Sequence, residues 1–177
     1  MSIAILTLLL ITTVFVVRTK RAPIRHRWCR QAQAMCAAFQ GSDRGQAPGW
    51  IYARLPAMDA LAFEDLLFES FAVQGHKVFC NHRCTGDRGI AGRALIAGQT
   101  WLVQAKRYAS AIRPEHVAAF AVVCRRQGAH GLFTHSGRTS GLSRTALERF
   151  PHIGLVSGGR LLALVAGTLL SIGGDRI

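Results

Sequence analysis

Acidic side chains are scarce in this chain. Nine Asp and Glu stand against 22 Lys and Arg over 177 residues, a formal net charge of +13. Such an excess favours a polyanionic partner, either nucleic acid or an acidic lipid surface, and says nothing about fold. The five cysteines, Cys29, Cys36, Cys80, Cys84 and Cys124, form an odd set at irregular spacing. That argues against a disulfide framework and fits a reducing compartment. Cys80-Asn-His82-Arg-Cys84 invites a zinc reading, but it lacks a second ligand pair at a suitable spacing, so incidental thiols are the simpler account. His76, His82, His116, His130, His135 and His152 also lack ligand spacing. No internal repeat is present. What is plentiful is apolar surface: 50% of the residues are hydrophobic, enough for the core of one domain plus a tail.

Long apolar runs are missing too, with one exception. Residues 3–17 (IAILTLLLITTVFVV) carry no charge. At ~1.5 Å rise per residue they make a short membrane helix, at the low end of the ~17–25 residues usual for a span. Arg18, Lys20, Arg21, Arg25, Arg27 and Arg30 follow, with no acidic residue among them. A secretory signal would carry its charge before the apolar run and a small-residue cleavage site after it; here the order is reversed. By the positive-inside rule, residues 1–18 are expected to be a single-pass anchor in the inner (cytoplasmic) membrane, N-terminus outside and the globular domain in the cytoplasm. Residues 19–56 read as a basic juxtamembrane linker that attracts anionic lipid. Within it, 28–40 has the composition of a short helix and GSDRGQAPG at 41–49 that of a linker. The final apolar stretch, LLALVAGTLLSI, is too short for a span and contains Gly167, which suits a buried core helix.

The globular domain is expected over residues 57–172. Leu61, Phe63, Leu66, Leu67 and Phe71 recur at helical spacing, with Asp59 as N-cap and Gly75 as stop. A strand at 77–82 leads to a hairpin turned at Gly98-Gln99. Pro114 opens a helix that stops near Gly128. A buried strand (131–135), a Ser/Gly/Arg-rich loop, a helix (142–150), a strand (153–156) and a last helix (160–171) complete an α-β-β-β-α-β-α-β-α order, a mixed α/β domain.

The stretch around which this order is built is CTGDRGIAGRALIAGQTWLVQAKRY, from Cys84 to Tyr108. Gly86, Asp87, Arg88 and Gly89 form an acidic turn. On the strand that follows, Val103 and Ala105 point one way while Gln104 and Lys106 share the other face, because strand side chains alternate with period two. On residue types alone, Gln104 and Lys106 are either a solvated strand face or a site. Asp87 suits a tight turn whatever else it does. Glu64, in the first helix, lies either at a site or on a helix surface. The loop from Ser136 to Arg144 either contacts phosphates through hydroxyls, Arg side chains and amides, or is simply solvated.

Taken with its motifs, this order resembles the Mrr-type nuclease domain of the restriction-endonuclease-like superfamily, roughly from Met58 to Val165. The resemblance rests on Phe63-Glu64, Gly86-Asp87-x-Gly89-Ile90 and Gln104-Ala105-Lys106-Arg107-Tyr108. Thr134-x-Ser136 and Ile153-Gly-Leu-Val-Ser-Gly158 extend it. It implies a three-layer core and Mg²⁺- or Mn²⁺-dependent cleavage of DNA, often modified DNA. It also implies roles: Lys106, Gln104 and Asp87 in catalysis, and Asp87, Glu64 and Gln104 toward the metal. Arg107, Ser136, Arg138 and Arg144 would meet the DNA. Phosphodiester hydrolysis needs a hard cation on carboxylate oxygens, an activated water and a charge that offsets the phosphorane. One departure stands out. Where the family has Gly-Ile-Asp, this chain has Gly89-Ile90-Ala91, so the principal metal carboxylate is missing. Two expectations follow: a membrane-anchored endonuclease with an impaired site, or a nuclease-fold protein that no longer cleaves and binds DNA or a protein partner at the membrane.

Overall fold

A computed structural model describes residues 29–39, 41, 47–81, 89–108, 111–168, 171–172 and 175–176. The expected anchor at 1–18, the basic residues up to Arg27, and the turn carrying His82, Cys84 and Asp87 lie outside the described residues. No helix among the described residues is long and apolar enough to cross a membrane.

Helix α1 (residues 29–39) and α2 (Ala47–Arg54) precede α3 (Ala60–Val73). The Asp59 carboxylate accepts the Leu61 N–H at 2.8 Å and satisfies one of the donors that a helix start leaves open. From α3, Phe63, Leu66, Leu67 and Phe71 are buried against a five-stranded sheet. Its strands are β1 (Lys77–Cys80), β2 (Gly92–Ile96), β3 (Gln99–Lys106), β4 (His130–His135) and β5 (Ile153–Val156), in that spatial order. β1, β2 and β3 run antiparallel; β3, β4 and β5 run parallel. The parallel pairs need crossovers, which α4 (Pro114–Arg126) and α5 (Gly141–Glu148) supply. Helix α6 (Gly158–Val165) closes the domain, and β6 (Ser171–Ile172) with β7 (Asp175–Arg176) forms a small separate ribbon.

Two apolar cores follow from the period-two alternation of the strands. Trp101, Val103 and Ala105 of β3 join α3 and α6 on one side, whereas Leu102 joins Val117, Phe120 and Cys124 of α4 on the other. The result is helix, sheet, helix, a mixed α/β architecture compatible with a nuclease-like fold.

Three local features differ from the expectation. The β2–β3 turn is Ala97-Gly98, one residue earlier than expected, and Gln99 is already paired with Ile96. Both turn residues have positive φ (49° and 77°), the twist that joins antiparallel strands tightly. Part of the stretch read as a linker is packed: Ala32, Cys36 and Phe39 of α1 and Ile51 of α2 belong to the α3-side core. Helix α6 stops at Val165, before the second half of the apolar stretch.

Gly92 reports how tightly the sheet is assembled. A Cβ at this position would lie 2.4 Å from the Phe79 carbonyl oxygen and 2.7 Å from Phe68 Cζ. The first of these is backbone and cannot swing aside. Gly92→Ala is therefore expected to lower stability by about 1–3 kcal/mol, as overpacked cores do. Urea unfolding checks it; an unchanged midpoint would show that β1 and β2 separate freely.

Candidate active site

Strand β3 carries the site because its C-terminal end emerges where the sheet changes from antiparallel to parallel pairing. Gln104 is the register partner of Phe133, and Lys106 that of His135. Gln104 is 6% exposed; Lys106 is half-buried. Across from them lies Gly89, with φ of 81°. A Cβ on Gly89 would stand 2.9 Å from Gln104 Nε2 and 3.2 Å from Lys106 Nζ. Only a glycine lets the backbone rest against both side chains in that conformation.

Glu64 reaches the same neighbourhood from α3. Burial pushes its carboxyl up from 4.5 to about 7, and the Lys106 ammonium pulls it part of the way back. Asp65 and Asp59 add to the upward push. The structure thus brings together three of the expected residues, Gln104, Lys106 and Glu64. Asp87 lies outside the described residues.

Ala91 is held at both polar groups. Its N–H donates to the Val103 carbonyl at 2.8 Å, and its carbonyl accepts the Asn81 N–H at 2.8 Å. Gly92 is the register partner of that same Val103. Two residues facing one is the geometry of a β-bulge, which re-aims the side chain it inserts. The Ala91 methyl is 4% exposed and joins the α3-side core. The position where the family pattern carries a carboxylate is therefore filled by an apolar group.

Among the described residues no group of three His, Cys, Asp or Glu side chains is placed to hold a metal ion. Among the described residues, the oxygen donors brought toward Lys106 are the Glu64 carboxyl and the Gln104 amide. Mg²⁺ demands near-octahedral oxygen geometry. One carboxyl drawn toward its neutral form, with one amide, does not fit that demand.

The expected DNA-contacting residues divide by exposure. Arg107, Arg138 and Arg144 are exposed, and Arg107 Nη1 donates to the Pro56 carbonyl at 2.9 Å. Ser136 is instead 3% exposed, and its N–H donates to the Lys106 carbonyl at 3.3 Å, tying the end of β4 to that of β3. Thr134 Oγ1 and Ser136 Oγ are buried without a hydrogen-bond partner among the described residues.

His135, which lacks ligand spacing in the sequence, is wholly buried beside Lys106. Its Nε2 lies 3.2 Å from Thr139 Oγ1, which lies 3.2 Å from Ser157 Oγ. Burial pushes the imidazole down to about 4, against an opposing hydrogen bond at the Gly137 backbone, so His135 is neutral at pH 7. The available signal was a run of three polar residues, Thr-His-Ser, ending an otherwise apolar strand.

A mixed sheet between two helical layers, with a Gln-x-Lys pair at the end of its middle strand, defines an α/β domain compatible with the nuclease class. The Mrr catalytic-domain family, described as restriction endonuclease, has a model that matches residues 55–165. That is more than half of the 177 residues, and the chain belongs to this family. No curated protein and no solved structure matches it.

Glu64 carries a pH signature. An acid raised from 4.5 to about 7 on folding takes up a proton in that window, so the contribution of Glu64 to stability is fully present below 4.5 and is lost as the pH rises through 7. Glu64→Gln, which keeps the neutral shape, is expected to remove that part of the decline in Tm. Thermal melts across the window check it; a variant curve parallel to the wild type would show that Glu64 does not titrate there.

Proposed function

We propose that this chain is an Mrr-type endonuclease domain acting on DNA. In this reading, residues 1–18 anchor it in the inner membrane with the globular domain in the cytoplasm, and Ala91 weakens its metal site. The observation that carries the reading is the meeting of Gly89, Gln104 and Lys106 at the end of β3, with Glu64 inside the field of Lys106. The Lys106 ammonium offsets negative charge growing on the phosphoryl oxygens. Gln104 holds its amide against the Gly89 backbone and so limits where the phosphodiester can enter. Arg107, Arg138 and Arg144 hold the DNA backbone by charge, which positions the strand without reading bases. Domains of this class generally use a divalent metal, which when bound supplies an activated water and Lewis-acid charge. Asp87, Glu64 and Gln104 are the residues assigned to it from sequence; the described donors alone do not fit it.

A second reading is favoured by the Ala91 methyl in the core: a nuclease fold that no longer cleaves and binds DNA or a protein partner at the membrane. The two readings separate in one experiment on the full chain. If the site is active, it nicks supercoiled plasmid in Mg²⁺ or Mn²⁺, and Lys106→Ala abolishes the nicking. If only a carboxylate is missing, Ala91→Asp melts earlier than wild type without metal, because it buries an uncompensated charge. Mn²⁺ then restores it by about 2.7 kcal/mol at a hundredfold excess over Kd. Calorimetry should register that binding directly. No heat and no recovery would mean that other parts of the site have decayed as well.

Membrane placement has its own check. A phosphatase reporter that works only outside the cytoplasm, fused after Arg30, is expected to be inactive, and a fluorescent reporter that folds only inside is expected to be bright. The opposite pattern would reverse the topology read from the basic residues.

A further inference from the structure

Helix α4 packs on β4 and on Leu102 of β3, and among the described residues no helix covers the outward face of β1 and β2. A cleft of about 690 Å³ forms there, between the two strands and the last turn of α4. Phe79 is 54% exposed on it and Leu95 is 37% exposed, beside an apolar floor that includes Leu102. Phe79 stands directly across from Arg93 in the antiparallel register. Arg126 supplies a second cation from α4, and Lys77 Nζ sits 5.5 Å from the centre of the Phe79 ring. No acidic side chain lines the cleft among the described residues. At one end its wall is Ile90, the neighbour of Gly89 that rests on Gln104 and Lys106.

We propose that this cleft binds an unpaired segment of nucleic acid, with a base stacked on Phe79 and its phosphates held by Arg93 and Arg126. An exposed ring flanked by cations of one sign is the combination that single strands use: the π-face takes any base, and the charges track the backbone. The size decides against a double helix, because a cleft of about 690 Å³ falls within the ~300–1,000 Å³ typical of sites for single small ligands. A paired base also keeps its faces inside the stack and offers Phe79 nothing to cover. Ile90 links the cleft to Gly89, which rests on Lys106, so the inference rests on the nuclease reading and adds a strand preference to it.

The test is fluorescence anisotropy of the full chain with a labelled oligothymidine and with a blunt duplex, at one fixed salt concentration. Phe79→Ala is expected to weaken oligothymidine binding about five- to a hundredfold while moving duplex binding by less than about twofold. Phe79→Trp should retain binding, because it keeps the stacking surface, and Arg93→Ala, measured in a separate salt series, should lower the slope of log affinity against log salt by about 0.7. Phe79 is largely exposed, so its truncation leaves the fold intact, which a thermal melt verifies. Oligothymidine affinity indifferent to Phe79, as an acidic protein or lipid occupant would produce, overturns the proposal while leaving the nuclease reading in place. Failure of the wild type to bind either form overturns both.

Discussion

Lys106 sits at the end of the one strand on which two kinds of pairing meet. β3 is antiparallel to β2 along one edge and parallel to β4 along the other, and residues 104–106 run on past the β2 ladder while still paired with β4. Both faces of β3 are committed to core, Val103 and Ala105 toward α3, Leu102 toward α4. The strand therefore cannot slip by a residue without exposing one core and burying charge in the other. The placement of Gln104 and Lys106 depends on that constraint.

Around this strand, close approach by glycine does much of the assembly. Gly89 comes against Gln104 and Lys106 because it lacks a side chain, and Gly92 lets β2 lie against Phe79 and Phe68 for the same reason. The bulge at Ala91 and Gly92 sits between these two contacts. Charge at the site is correspondingly thin. Among the described residues, Glu64 is pushed toward neutrality by its burial and His135 is neutral beside Lys106.

Much of this arrangement was legible in the sequence, for identifiable reasons. Helix α3 announced itself through Asp59 and the spacing of its apolar residues, and β3 through alternation that ends in Gln104 and Lys106. The turn slipped by one position because Ala97 accepts a positive φ that residue type would not suggest. Helix α2 was hidden by Pro48 and Gly49, which read as linker, although Ile51 packs into the core. The burial of His135 was not readable locally, since it depends on how the loop carrying Thr139 folds back over the end of β4. Likewise the nearness of Glu64 to Lys106 is a tertiary fact. The sequence nominates both residues; only packing of α3 on the sheet brings them together.

Both outer strands, β1 and β5, are only four residues long, and Lys77 begins β1 with its side chain in solvent. Each border thus offers a passing copy few rungs of unpaired backbone, and one of them meets it with a repelling cation. Short, charged borders of this sort resist ladder formation between molecules. A protein with an open, partly greasy platform next to its border needs such a safeguard, because the same exposed ring that could receive a base would otherwise help neighbouring chains to zip together.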